Sequence, residues 1–112
     1  MHTVVETPAY IDDAERLLDR AERESIVNMV SADPLCGLVV PGTGGVRKVR
    51  VGVEGRGKRG GARVIYLFGG DDVPVFLLAL FAKNEKADLS AAERNALGKS
   101  VAALLDNYRR RK

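Results

Sequence analysis

The sequence predicts an α+β domain with elements in the order β-α-α-β-β-β-α, and three observations lead there. Apolar residues recur at helical spacing through the first third, residues alternate with a period of two through the middle, and a capping signal opens a further helical pattern near the end. The 112 residues suit one domain, 1–112. With 46% hydrophobic and 29% charged residues, they can build a core beneath a solvated surface.

The opening Thr3-Val4-Val5-Glu6 is a short β-like run, followed by Thr7 as an N-cap and Pro8 at the first helical position. Ile11, Ala14, Leu18 and Ala21, then Ile26, Met29 and Val30, form an apolar stripe that Asp33-Pro34 ends. This is two helices or one bent helix, with any break between Leu18 and Ser25. Residues 35–45 read as a loop with glycine-permitted turns. Val49, Val51 and Val53 then alternate with Lys48, Arg50 and Gly52, giving a strand with an apolar face and a cationic face. Lys48 and Arg50 therefore project together. A glycine-rich connection, 55–61, leads to a second β-prone run, 63–68, so the pair resembles a long hairpin, and Gly69-Gly70-Asp71-Asp72 makes the next turn. Val75–Ala82 is continuously apolar, which suits a central strand covered on both faces or a buried helix, and its neighbours favour the strand. Ser90 and Glu93 spell a capping box, and Leu97, Val101, Leu104, Leu105 and Tyr108 follow at helical spacing, before Arg109-Arg110-Arg111-Lys112 ends the chain as a solvated basic tail.

The net charge of +3 conceals an uneven distribution. Residues 1–42 carry three arginines against eight acidic groups, whereas 43–68 carry Arg47, Lys48, Arg50, Arg56, Lys58, Arg59 and Arg63 against Glu54 alone. Seven cations so close together repel one another, and a polyanion such as nucleic acid relieves that repulsion. Other chemistries are excluded by composition. One cysteine, Cys36, rules out an internal disulfide and a multi-thiolate zinc site. One histidine, His2, rules out a two-histidine ribonuclease and stands at a chain end that tends to fray. No signal-peptide pattern and no apolar stretch near the ~20 residues of a membrane span is present, so a cytoplasmic protein without membrane contact is expected.

Two phosphate motifs are spurious. Gly55-Arg56-Gly57-Lys58-Arg59-Gly60 spells G-x-G-x-x-G, and 52–59 nearly spells a P-loop, but a strand follows where both need a helix N-terminus. A hairpin tip that lets Lys58 and Arg59 approach a phosphate backbone is the better account. Asp12-Asp13 and Asp71-Asp72 fit an early helix turn and a Gly-Gly turn better than a metal site, so no metal and no other cofactor is expected.

The runs Thr43-Gly44-Gly45-Val46-Arg47-Lys48-Val49-Arg50, Gly57-Lys58-Arg59-Gly60-Gly61-Ala62-Arg63-Val64-Ile65-Tyr66 and Ala82-Lys83-Asn84-Glu85-Lys86-Ala87-Asp88-Leu89-Ser90 closely resemble the HigB-type branch of RelE-like toxins. The resemblance implies the RelE/ParE-like fold, a small antiparallel sheet with N-terminal helices packed on one face. It also implies a metal-independent, ribosome-dependent messenger RNA endoribonuclease that cuts in the ribosomal A site, arrests translation and growth, and is neutralised by a cognate antitoxin. A helix-turn-helix antitoxin would connect the toxin to operator DNA. By resemblance Arg63 stabilises the phosphorane, Lys48 and Arg50 clamp the backbone with Lys48 as a proton acceptor, and Lys83 is a general acid or phosphate ligand. Arg47, Arg56, Lys58 and Arg59 would add RNA contacts.

These roles have a physical basis. Metal-free cleavage uses the 2′-hydroxyl as nucleophile, so the protein must align it, take its proton, stabilise the phosphorane and protonate the leaving 5′-oxygen. A guanidinium can hold two phosphate oxygens at once. A like charge at ~7 Å in an effective dielectric near 20 disfavours a lysine's protonation by ~2 kcal/mol, which helps Lys48 or Lys83 act as a base, while a bound phosphate pushes the other way. Three positions depart from relatives: Asn84 replaces an arginine, Ser90 a tyrosine, and Phe81 another tyrosine. Tyr66 matches a family tyrosine, yet alternation sets it opposite Arg63 with Val64 and Phe68, as a core residue. Two other functions fit the same composition: a ParE-like toxin of this fold that blocks DNA gyrase, and a basic RNA-binding module that never cuts. Low aromatic content speaks against base stacking in the second.

Overall fold

The computed structural model describes residues 1–52 and 61–111. Strand β1 (Val4–Glu6) leads into helices α1 (Pro8–Leu17) and α2 (Arg20–Ala32), strands β2 (Leu38–Val39), β3 (Val46–Val51), β4 (Ala62–Leu67) and β5 (Val75–Ala82), and helix α3 (Ala91–Arg110). The sheet order is β1-β5-β4-β3-β2. The class is α+β, as expected, and the expected element order holds apart from β2.

Local signals set the helix ends. The Thr7 side chain caps α1 through the Tyr10 amide and donates to the Leu77 carbonyl at 2.7 Å, which ties the helix start to β5. The break between the first two helices falls at Leu18 and Asp19: Leu18 is extended, and Asp19 forms a reciprocal capping box with Glu22. The expected Ser90/Glu93 box opens α3.

Sheet geometry departs from expectation in two ways. β1 pairs with β5 in parallel, so the sheet is mixed rather than wholly antiparallel; a three-residue edge run contains no direction signal, and the long passage from β1 to β5 through two helices and three strands permits either sense. Within the stretch read as a loop, Leu38 and Val39 pair antiparallel with Lys48 and Arg47 and form the far edge.

Both sheet faces are covered. Tyr10, Ala14, Leu17, Leu18, Ile26 and Val30 from the first two helices pack on Val64, Tyr66, Val75, Leu77 and Leu80. Val101 and Leu105 of α3 pack on Val46, Ile65, Leu67, Phe76 and Phe81 from the other side. β5 supplies both layers, as its unbroken apolar run predicts. A register shift against Ile65 and Tyr66 sends Leu77 and Leu80 to the same face although they are three residues apart. The basic tail is not wholly solvated: Arg109 Nε and Nη2 reach Asp72 at 2.7 and 3.1 Å, and Nη2 also donates to the Gly69 carbonyl, so the end of α3 is fixed to the β4–β5 turn.

Candidate functional site

The antiparallel pairing of β3 with β4 decides which cations share a face. Lys48 lies opposite Ile65 and Arg50 directly opposite Arg63, while Arg63 lies opposite Phe81 of β5. Lys48, Arg50 and Arg63 therefore stand on the α3 side of the sheet, beyond the end of the apolar layer formed by Val46, Ile65 and Leu67. Like charges directly opposite one another are destabilising, and neither Arg50 nor Arg63 has an ion-pair partner among the described residues. Arg63 Nε is buried with no hydrogen-bond partner among those residues. Such an arrangement suits an incoming anion.

Lys83 follows the end of β5 in a turn, and its backbone amide donates to the Gly61 carbonyl at 3.0 Å. That bond holds it beside the start of β4, two residues from Arg63. Gly61 also passes close to the end of β3: its φ is +86°, and a Cβ there would stand 2.4 Å from the Val51 carbonyl oxygen. Phe81 is buried on this face, with Lys86 Nζ 5.0 Å from its ring centroid. Lys86 is also paired with Glu93, whose carboxyl this contact holds below the usual range.

Arg47 is separate. Strand alternation turns it to the opposite face, where Nη1 donates to the Gly37 carbonyl at 2.7 Å and braces the segment before β2. Arg56, Lys58 and Arg59 lie outside the described residues. Arg50 also lines a groove with Ala21, Glu22, Ser25 and Met29 of α2. Tyr66 is fully buried; its hydroxyl donates to the Pro34 carbonyl and accepts from the Gly37 amide, both at 2.8 Å, and burial raises its pKa. It is a core residue.

One carboxylate at this site was not singled out in the sequence. Asp88, on the connection between β5 and α3, accepts from Lys48 Nζ at 2.5 Å through Oδ2 and from the Leu89 amide at 2.8 Å through Oδ1. The bond to Lys48, the Leu89 amide and the charge of Arg63 hold its carboxyl below the usual range. Asp88 is forty residues from Lys48; it lies in the run that resembles the toxin family, but its position two residues before the Ser90 cap suggests helix entry rather than a site. Lys48, by resemblance a backbone clamp and proton acceptor, donates to this carboxylate here. The two acidic pairs have structural partners: Asp13 accepts from the Leu80 amide, Asp71 contacts His2, and Asp72 holds Arg109. Among the described residues no group of three or more histidine, cysteine or acidic side chains is placed to hold a metal, and no helix is long and apolar enough to cross a membrane.

A family model described as the RelE toxin of the RelE / RelB toxin-antitoxin system matches residues 17–112, which takes in every site residue above. The chain belongs to the RelE toxin family, the toxins of toxin-antitoxin systems, and that membership implies an antitoxin partner.

Proposed function

We propose that this RelE-family toxin is a metal-independent endoribonuclease that cuts messenger RNA in the ribosomal A site through attack by the 2′-hydroxyl. A cognate antitoxin, a helix-turn-helix protein that alone contacts operator DNA, would neutralise it in the cytoplasm. The observation that supports this reading is the cross-strand pair Arg50–Arg63 beside Lys48, three cations on one sheet face with, among the described residues, one carboxylate paired to them.

Each cation has a task in that chemistry. Arg63, with a buried and unpartnered Nε, offers donors to the non-bridging phosphate oxygens as negative charge builds on the phosphorane. Arg50 and Lys48 hold the adjoining backbone. Lys83, beside the start of β4, protonates the leaving 5′-oxygen. Arg56, Lys58 and Arg59 extend the contact along the RNA.

Replacing Arg63 by alanine tests the reading. Loss of its donors should slow cleavage on translating ribosomes by ~10²–10³-fold. Unfolding should stay cooperative, because the side chain lies beyond the packed layer. Fragments should end in cyclic phosphate or 3′-phosphate with 5′-hydroxyl partners. A free 3′-hydroxyl, or undiminished cleavage by Arg63→Ala, contradicts the assignment.

A further inference from the structure

A base must remove the 2′-hydroxyl proton, and the cations of this site are poorly suited to do so. Arginine remains protonated in proteins, and Lys48 is engaged as a donor to Asp88. Tyr66 is sealed in the core by its bonds to Pro34 and Gly37. Phe81 has no titratable group, and Ser90 Oγ caps α3 through the Glu93 amide. Glu93 is bound to Lys86 and to the Ser90 amide. Among the described residues one carboxylate, Asp88, is paired directly with a site cation.

We propose that Asp88 is the proton acceptor of the site, an inference that rests on the ribonuclease reading. Its Oδ2 is 2.5 Å from the ammonium of Lys48, so a phosphate held by Lys48 and Arg63 places the adjoining ribose next to that oxygen. The charges that act on Asp88 are Lys48 on β3 and Arg63 on β4; along the same connection and helix entry stand Lys86 with its partner Glu93, and Arg94, whose Nη1 donates to the Leu89 carbonyl. In the free protein Lys48 and Arg63 keep the carboxylate ionised, and therefore ready. A bound phosphate draws on the same two cations, lessens their hold on Asp88, and raises its basicity when RNA is present.

The step balances without a co-reactant. Asp88 takes the proton as O2′ bonds to phosphorus, the P–O5′ bond breaks, and O5′ takes a proton from Lys83. Solvent then returns the proton from Asp88 to Lys83. The products are a 2′,3′-cyclic phosphate and a 5′-hydroxyl.

The experiment compares the unaltered protein with Asp88→Asn and Asp88→Glu on programmed ribosomes, with affinity measured separately on a message whose scissile 2′-hydroxyl is replaced by hydrogen. Asn can still accept from the Leu89 amide, and thermal unfolding checks each variant; Asp88→Glu provides a second variant should Asp88→Asn melt early. The expected result is a kcat lowered ~10²-fold or more in Asp88→Asn with affinity unchanged or tighter, and loss of the acid limb of the pH–rate profile. Asp88→Glu should recover part of the rate. A kcat within about threefold of the unaltered protein makes Asp88 only a counter-ion and overturns the proposal. Parallel loss of affinity and rate assigns it to holding Lys48 and overturns it too. If the unaltered protein leaves the message intact, the ribonuclease reading itself fails and this inference falls with it.

Discussion

Tyr66 shows how a residue's place in the strand period outweighs its chemistry. Its hydroxyl satisfies the Pro34 carbonyl and the Gly37 amide at the entry to β2, and Gly37 lies so close beneath the ring that a Cβ there would stand 2.8 Å from both the Tyr66 hydroxyl and the Lys48 carbonyl oxygen. Tyr66→Phe leaves two buried groups without their partner and should cost about 1–3 kcal/mol in urea unfolding. Cleavage per folded molecule should be unchanged, and a specific loss of kcat would return Tyr66 to the reaction. Period-two alternation separated Tyr66 from Arg63 and set Lys48 beside Arg50, so that much of the site was legible in the sequence. Asp88 was not, because nothing local in a turn residue predicts a bond to a strand forty positions earlier. The face that Arg47 takes was equally hidden from a charge count, which does not distinguish the two sides of a strand.

At the scale of elements, legibility followed the presence of a local rule. The Thr7-Pro8 start, the Ser90/Glu93 box and the unbroken apolar run of β5 all act within a few residues, and each was found where expected. The parallel edge of β1 and the two-residue β2 depend on partners far along the chain. Helix α3 joins the candidate site to stability, since Asp88 and Glu93 stand at its entry and are both held below the ordinary carboxylate range. A depressed folded-state value means that their contribution is present above the unfolded carboxylate range, about pH 4, and is lost as pH falls through the folded values. Thermal unfolding should therefore show a steeper loss of stability below about pH 4 in the unaltered protein than in Glu93→Gln. Ser90→Ala, which removes the other half of the box, should cost about 1 kcal/mol at neutral pH. Equal acid sensitivity in Glu93→Gln would assign the effect to other carboxylates.

Over the whole molecule the charge is divided by face and by segment, and this division predicts how RNA binding responds to salt. The acidic first third folds into β1, α1 and α2, where Glu6, Glu15, Asp19 and Glu24 share a groove with Arg20 and Arg23, on the side of the sheet away from Lys48 and Arg63. A polyanion is thus repelled from one side and drawn to the other. Each phosphate neutralised on single-stranded RNA contributes about −0.7 to the slope of log K against log salt. Lys48, Arg50, Arg63 and Lys83 then account for about −3, and Arg56, Lys58 and Arg59 would bring the total to about −5. Arg47, bound to the Gly37 carbonyl on the other face, should add nothing. Titrating an uncleavable RNA at several salt concentrations distinguishes these contributions. The triple variant Arg56→Ala, Lys58→Ala, Arg59→Ala should reduce the slope by about 2 while leaving single-turnover cleavage at saturating message within about threefold. Arg47→Ala should leave the slope where it was. An unchanged slope in the triple variant would confine the RNA contact to the sheet face, and a slope altered by Arg47→Ala would mean that the message wraps across the edge at β2.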